Sequence, residues 1–269
     1  MRYQFFKFSL WIRDAARFAR KSIVTLLFVM PYRTIRFLWR KRIIQSVVIA
    51  VILYLGIDVG KYFFTPDVVW LARQNPRLTE MMVHQERRPE KAGKRIAIRH
   101  AWVPLKKISP YVVQAVIIGE DDKFWQHRGF DFEAIQRAFR EDIKERRFKS
   151  GGSTITQQLA KNLFLKPTKN PVRKIKEAIL AWRMERVLEK ERILEIYLNV
   201  AEWGESIYGV EAAALHYYGK RASSLTPMQA ARLAAALPNP RRYSPVGSSG
   251  FVRNRSRIIY SVMKKRGIR

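Results

Sequence analysis

The chain has 269 residues, 52 Lys+Arg against 22 Asp+Glu for a formal net charge of +30, 48% apolar residues and no cysteine. The missing cysteine excludes a disulfide scaffold, a Cys-ligated zinc or Fe–S centre and a thiol nucleophile. The aromatic content (7 Trp, 11 Tyr, 15 Phe) excludes disorder throughout, while the charge calls for a polyanionic partner: nucleic acid, anionic lipid or a phosphorylated substrate.

Residues 1–42 carry a single acid, Asp14, among many cations. Arg13, Arg17, Arg20 and Lys21 recur near helical spacing, with Phe5, Phe8, Trp11, Ile12 and Phe18 supplying apolar area. This reads as a basic cytoplasmic segment lying on an anionic membrane surface, a poorly ordered basic tail being the alternative. The apolar run at 22–30 is too short to span a bilayer. Residues 43–57 are uncharged and rich in Val, Ile and Leu. Extended to 64, with Asp58 and Lys61 snorkelling near one end, the run reaches spanning length. Trp39 on one side and Tyr62, Phe63 and Phe64 on the other suit interfacial belts. The cations Arg40, Lys41 and Arg42 before the run place the N-terminus in the cytoplasm and the remainder outside. No A-x-A-like site follows, so an uncleaved anchor over 43–64 is expected.

Residues 65–94 read as a connector, punctuated by Pro66, Pro76 and Pro89. His84, and His100 beyond it, have no neighbouring ligand pattern and are expected as surface histidines. Helices follow in succession. Ser109-Pro110 opens the first, as N-cap and N1. Asp131 can cap the second, and Thr154 with Gln157 forms a capping-box pair for the third. Asn170-Pro171 opens a helix with Val172, Ile175, Ile179 and Trp182 at core spacing. A short helix covers 192–199, Gly219 stops another, and Thr226-Pro227 with Gln229 opens one more. A C-terminal helix is placed at 251–269. No run shows useful strand alternation, so the extracytoplasmic part is expected to be mainly α.

Three segments place polar residues where a core would not use them. In 119–131, the acids Glu120, Asp121 and Asp122 follow an apolar helix, a position unfavourable to the macrodipole. Partial desolvation of Glu120 would raise its pKa and suit a general base, and a solvated acidic turn is the plain alternative. In 151–162, two glycines precede a helix start, which attracts anions. Gln157, Gln158 and Lys161 share a face there, as suits a sugar and a phosphate; an ordinary amphipathic helix is the other reading. In 170–179, Arg173 and Lys174 stand four and three residues before Glu177. That is either a helical ion pair worth about 0.3–0.5 kcal/mol or a cationic cluster for a leaving pyrophosphate.

Together these residues resemble the signatures of the family 51 peptidoglycan glycosyltransferases. Glu120, Asp121, Phe124, His127, Gly129 and Asp131 match the pattern EDxxFxxHxGxD. GGSTITQQLxKN follows, then RKxxE with Arg173, Lys174 and Glu177, then KxRILExYLN from Lys190 to Asn199, and WGxxxxGVEAAAxxYxGK from Trp203 to Lys220. The resemblance covers 95–250, with all five motifs in order, and lies closest to the monofunctional members of Gram-negative bacteria. With no KTG motif in the sequence, no transpeptidase activity is expected. The resemblance implies a lysozyme-like glycosyltransferase lobe with a smaller membrane-proximal jaw, behind one N-terminal transmembrane helix in the inner membrane, the catalytic domain in the periplasm. It implies polymerisation of lipid II into β-1,4-linked glycan, with inversion. Glu120 is then the base, Asp121 its support and Glu177 the second essential carboxylate. Lys161, Arg173 and Lys174 neutralise the pyrophosphate. Gln157, Gln158 and Asn162 complete the sugar and phosphate contacts, and Ser153 and Thr154 position substrate. It also implies a divalent ion, Mg²⁺ or Mn²⁺, near Glu177. The partners implied are the growing lipid-linked chain, membrane lipids and division or elongation proteins, with no nucleic acid. His127 is expected to serve structure. The charged stretch 141–150 is expected to be a flexible lid over the acceptor cleft.

Other classes stay open at this stage. A lytic transglycosylase cleaves the same polymer with a single acid and needs neither the cations nor Gln157 and Gln158. A nucleic-acid-binding protein fits +30 but not the apolar segment at 43–57. A silent membrane scaffold would not need both carboxylates.

Overall fold

The structure, a computed structural model, describes residues 21–22, 36–37, 39, 41–87, 97–145, 152–168 and 170–268. The leader at 1–20, Gly151 and the lid residues 146–150 lie outside the described residues. The chain divides into two compact units, Met1–Gly60 and Lys61–Arg269.

The first unit contains α1 (Arg42–Gly60), none of whose side chains is buried. Ile, Val and Leu make up 11 of its 19 residues and occur around every face, as in a helix whose solvent is hydrocarbon. The stretch Arg42–Phe63 is long and apolar enough to cross a membrane. At about 1.5 Å per residue, its 22 residues reach about 33 Å against a hydrocarbon core of about 30 Å.

The second unit is mainly helical, as expected. Its helices are α2 (Glu80–Glu86), α3 (Pro110–Glu120), α4 (Phe132–Glu145), α5 (Ile155–Phe164), α6 (Pro171–Val187), α7 (Lys190–Val200), α8 (Val210–Tyr218), α9 (Pro227–Ala236) and α10 (Gly250–Lys265). Local signals set several boundaries. Thr154 and Thr226 each form a complete capping box, with Gln157 and Gln229. Asp131 accepts from the Ala134 amide at 2.8 Å. Gly219 ends α8 in the left-handed region at φ 62°. Ser109 differs from its expected role: its hydroxyl donates to Leu225 O at 3.2 Å and makes no cap, so the serine ties α3 to the segment before α9. A small sheet joins β1 (Arg99–His100), β2 (Glu202–Gly204) and β3 (Ile207–Tyr208) in the order β1-β3-β2, with β1 parallel and β2 antiparallel to β3. Strands of two or three residues are too short to show alternation, which is why the sequence reading missed them. His100 in β1 is half-buried and contacts Asn199 O at 3.0 Å, and so is no free surface histidine; His84 is exposed.

Two packed groups make the core. α3 lies against α9 and α10, and α5 lies against α6 and α7. The alanine-rich face of α9 (Ala230, Ala231, Ala234, Ala235) is wholly buried, which lets α3 approach closely. The face of α6 differs from the expected one. Ile179 is buried as expected, but Ile175 and Trp182 are 54% and 42% exposed, while Glu177, Leu180, Ala181 and Met184 point inward. That stripe has the same i, i+3, i+4, i+7 spacing, rotated to bury a carboxylate. Trp182 is held outside by an edge contact with Phe63 and by the Arg186 guanidinium over its ring. Residues 65–87, expected as connector, give Val68 and Leu71 to the core and bury Met82. Arg183 donates to Tyr62 O and Phe64 O, and Arg192 to Leu71 O, Gln74 O and Asn75 Oδ1, tying this stretch to α6 and α7.

Candidate active site

The acidic triplet at the end of α3 splits three ways. Asp122 is exposed and pairs with Arg266 just after α10. Asp121 turns inward. Its Oδ1 accepts from His127 Nε2 at 2.8 Å and its Oδ2 from the Ile155 amide, the first of α5, at 2.9 Å. The Gly129 amide donates to His127 Nδ1 at 3.2 Å, which leaves the ring proton on Nε2, facing the carboxylate. Asp121 therefore caps α5 from another segment, satisfying an orphan amide and matching the positive end of the helix. Thr154 reinforces the same junction: its Oγ1 accepts from the Gln157 amide and donates to Gly129 O at 2.7 Å. Gly152 passes so close to α4 that an added Cβ would sit 3.1 Å from Ile135 Cα. Local hydrogen bonding thus fixes the loop after α3 to the start of α5.

This junction sets Glu120. Its side chain is only 9% exposed. Oε2 accepts from Gln158 Nε2 at 2.9 Å, and Oε1 lies 3.3 Å from Arg255 Nη2, which also donates to Gly119 O at 2.6 Å. Burial pushes the carboxyl above the usual glutamate range, while Gln158, Arg255 and Lys161 hold it back. A raised pKa of this kind suits a carboxylate that has to take a proton from a hydroxyl.

Glu177, on the inward face of α6, is 4% exposed. It pairs with Arg173 at 3.3 Å and Lys174 at 2.5 Å. Lys174 Nζ also donates to Ser153 Oγ at 2.8 Å, which joins the start of α6 to the loop before α5. Lys161 connects the two acids. Burial lowers its pKa, Glu177 opposes that most, Arg173 and Lys174 add to it, and Glu120 again opposes it. Its ammonium therefore lies in the field of both carboxylates.

The expected site residues separate by use. Glu120, Gln158, Lys161, Ser153, Arg173, Lys174 and Glu177 form one linked electrostatic set. Asp121, Thr154 and Gln157 are buried and engaged in internal hydrogen bonds, Gln157 Oε1 accepting from the Thr154 amide. Asn162 is buried on α5, one turn after Gln158. Two contributors were missed. Arg255 lies in the segment set apart as a C-terminal helix, within a run of similar cations, and nothing local distinguishes it. Tyr197 stands in an apolar helix pattern, where a core aromatic is the default. The donor set around Glu177 does not fit a resident divalent ion. Both its oxygens already face cations, and among the described residues no three His, Cys, Asp or Glu side chains gather as metal ligands.

Comparison with known proteins gives a match to the family described as Transglycosylase over residues 90–264, a span that includes the helix carrying Arg255. The chain is 43% identical to a biosynthetic peptidoglycan transglycosylase of Nitrosospira multiformis over 212 residues, covering 79% of this chain and 92% of that protein. A protein of the same name from Aromatoleum aromaticum is 48% identical over 202 residues, covering 73% and 87%. Another from Azoarcus sp. is 49% identical over 182 residues, covering 66% and 77%.

Proposed function

Since this chain belongs to the Transglycosylase family and is a peptidoglycan glycosyltransferase, we propose that it polymerises lipid II, with Glu120 as general base and the cations around Glu177 receiving the leaving pyrophosphate. The acceptor 4-hydroxyl oxygen forms the new bond to C1 of the growing chain. The bond from C1 to the pyrophosphate oxygen breaks on the opposite face, which inverts the anomeric centre. The hydroxyl proton passes to Glu120, and undecaprenyl pyrophosphate leaves with the electron pair. Lys161, Arg173 and Lys174 offset the charge that develops on it. Glu177 holds Arg173 and Lys174 in place, and Ser153 steers the Lys174 ammonium. Gln158 holds Glu120 on one side, and Asn162 completes the polar wall. Asp121 and Thr154 act by fixing the loop on which Glu120 sits.

The observation that carries this reading is the pair of enclosed carboxylates, Glu120 held by Gln158 and Arg255 and Glu177 by Arg173 and Lys174, with the half-buried Lys161 in the field of both. A single-acid lytic enzyme has no use for that arrangement. The lipid tail of the substrate stays in the bilayer, so a chain with a spanning helix over Arg42–Phe63 is suited to it. The cation cluster before that helix favours a cytoplasmic N-terminus, and hence a catalytic unit in the periplasm of the inner membrane. Division or elongation proteins are the partners that such an activity calls for.

The test is purified full-length protein in detergent with labelled lipid II. Glycan polymer is the expected product, and Glu120→Gln should lower its rate by about 10²–10⁴-fold with the fold retained. Wild-type turnover in that variant removes Glu120 from the role. Anhydro-sugars released from preformed glycan would favour the lytic reading instead.

A further inference from the structure

Glu120 is held by Gln158, and Gln158 is held in turn. The Tyr197 hydroxyl, from α7, lies 2.9 Å from Gln158 Oε1, while Gln158 Nε2 lies 2.9 Å from Glu120 Oε2. The three side chains come from three helices, α7, α5 and α3. Tyr197 is 1% exposed and its ring is packed in the main core, so the hydroxyl has a fixed position.

From this chain of contacts we infer that Tyr197 is a positioning residue for the transfer reaction, acting through Gln158 to keep an amide N–H aimed at the Glu120 carboxylate. The argument rests on the two-faced amide. A primary amide carries a donor end and an acceptor end of nearly the same shape, and rotation by half a turn exchanges them. Turned the wrong way, Gln158 would set a carbonyl oxygen against a buried carboxylate. A phenol that donates to Oε1 removes that option at little entropic cost, because the aromatic ring is already locked by packing. The phenol stays protonated throughout the working range. Burial raises its pKa well above the usual value, and the Glu120 and Asp121 carboxylates raise it further.

This inference rests on Glu120 being the base, and the experiment separates the two. Tyr197→Phe removes one oxygen from the core and keeps the ring. Gln158→Leu removes the amide and keeps the phenol. The full-length protein and its variants are assayed with labelled lipid II across pH. The hydrogen bond from Gln158 lowers the Glu120 pKa, so loosening it should move the acid limb of kcat/KM to higher pH. Tyr197→Phe should show that displacement with a kcat loss of about 10-fold and an unchanged KM for lipid II. In the Gln158→Leu background, which should show the same displacement, Tyr197→Phe should have no further effect. An acid limb that stays in place, or losses that multiply in the double variant, would reduce Tyr197 to a packing residue. If Tyr197→Phe does not fold, an unmoved acid limb in Gln158→Leu overturns the inference alone. Failure of the Glu120 reading looks different: Glu120→Gln then remains active, whatever Tyr197 does.

Discussion

Glu120 is a compromise between chemistry and stability. Burial raises its folded-state pKa above that of the unfolded chain, against the pull of Gln158, Arg255 and Lys161. Over the interval between those two values the folded protein keeps a proton that the unfolded chain has lost. The stability that this proton confers is complete below the ordinary carboxylate range and disappears as pH rises through the raised value. Glu120→Gln carries no such dependence. Its thermal midpoint relative to wild type should therefore climb with pH above the ordinary glutamate range and then level off. A relative midpoint that falls with pH would show that the hydrogen bonds outweigh burial. On the proposed mechanism, the same residue is a site where folding energy is given up for a usable base, a known trade at catalytic positions.

At the scale of elements, the geometry around Glu120 depends on the first turn of α5. Thr154 Oγ1 is both acceptor for the Gln157 amide and donor to Gly129 O, so it fastens the helix start to the loop after α3. Thr154→Ala should cost about 1–2 kcal/mol in urea denaturation, and Thr154→Ser should recover most of it. If Ser is no better than Ala, the methyl group rather than the cap holds the junction. This cap was legible in the sequence because its partners stand three residues apart, as were the Asp131 and Thr226 caps and the Gly219 stop. The rotation of α6 was not. Ile175 and Trp182 compete with Leu180 and Met184 for the core on equal spacing, and hydrophobicity alone assigns the wrong winner when the inward stripe includes Glu177. The contacts of Glu120 with Gln158 and Arg255 span 38 and 135 residues of sequence. Tyr197 and Gln158 are 39 apart. No periodicity reports on such pairs. Motif resemblance pointed to Glu120 and Gln158, but it left Tyr197 unremarked within its own motif and Arg255 outside the domain boundary.

At the scale of the whole molecule, the division into two compact units falls at Gly60, so the stretch from residue 61 belongs to the second unit. Residues 65–75 look like a linker in composition, yet Arg192 holds the Leu71 and Gln74 carbonyls, Arg183 holds those of Tyr62 and Phe64 just before, and Val68 and Leu71 are 1% and 0% exposed. Each such side chain contributes about 1.5–3 kcal/mol by burial, and a typical domain has only about 5–15 kcal/mol in total. Two truncations therefore separate the roles. Removing residues 1–60 should leave a folded protein that polymerises lipid II in detergent at close to the full-length rate but sediments with membranes far less. Removing residues 1–75 should also strip two core side chains and the partners of two half-buried guanidinium groups. The thermal midpoint should then drop by several degrees or more, with activity falling alongside it. Equal stability of the two truncations would return 61–75 to the status of a tether. Full sedimentation of the shorter deletion would mean that the catalytic unit binds the bilayer without α1.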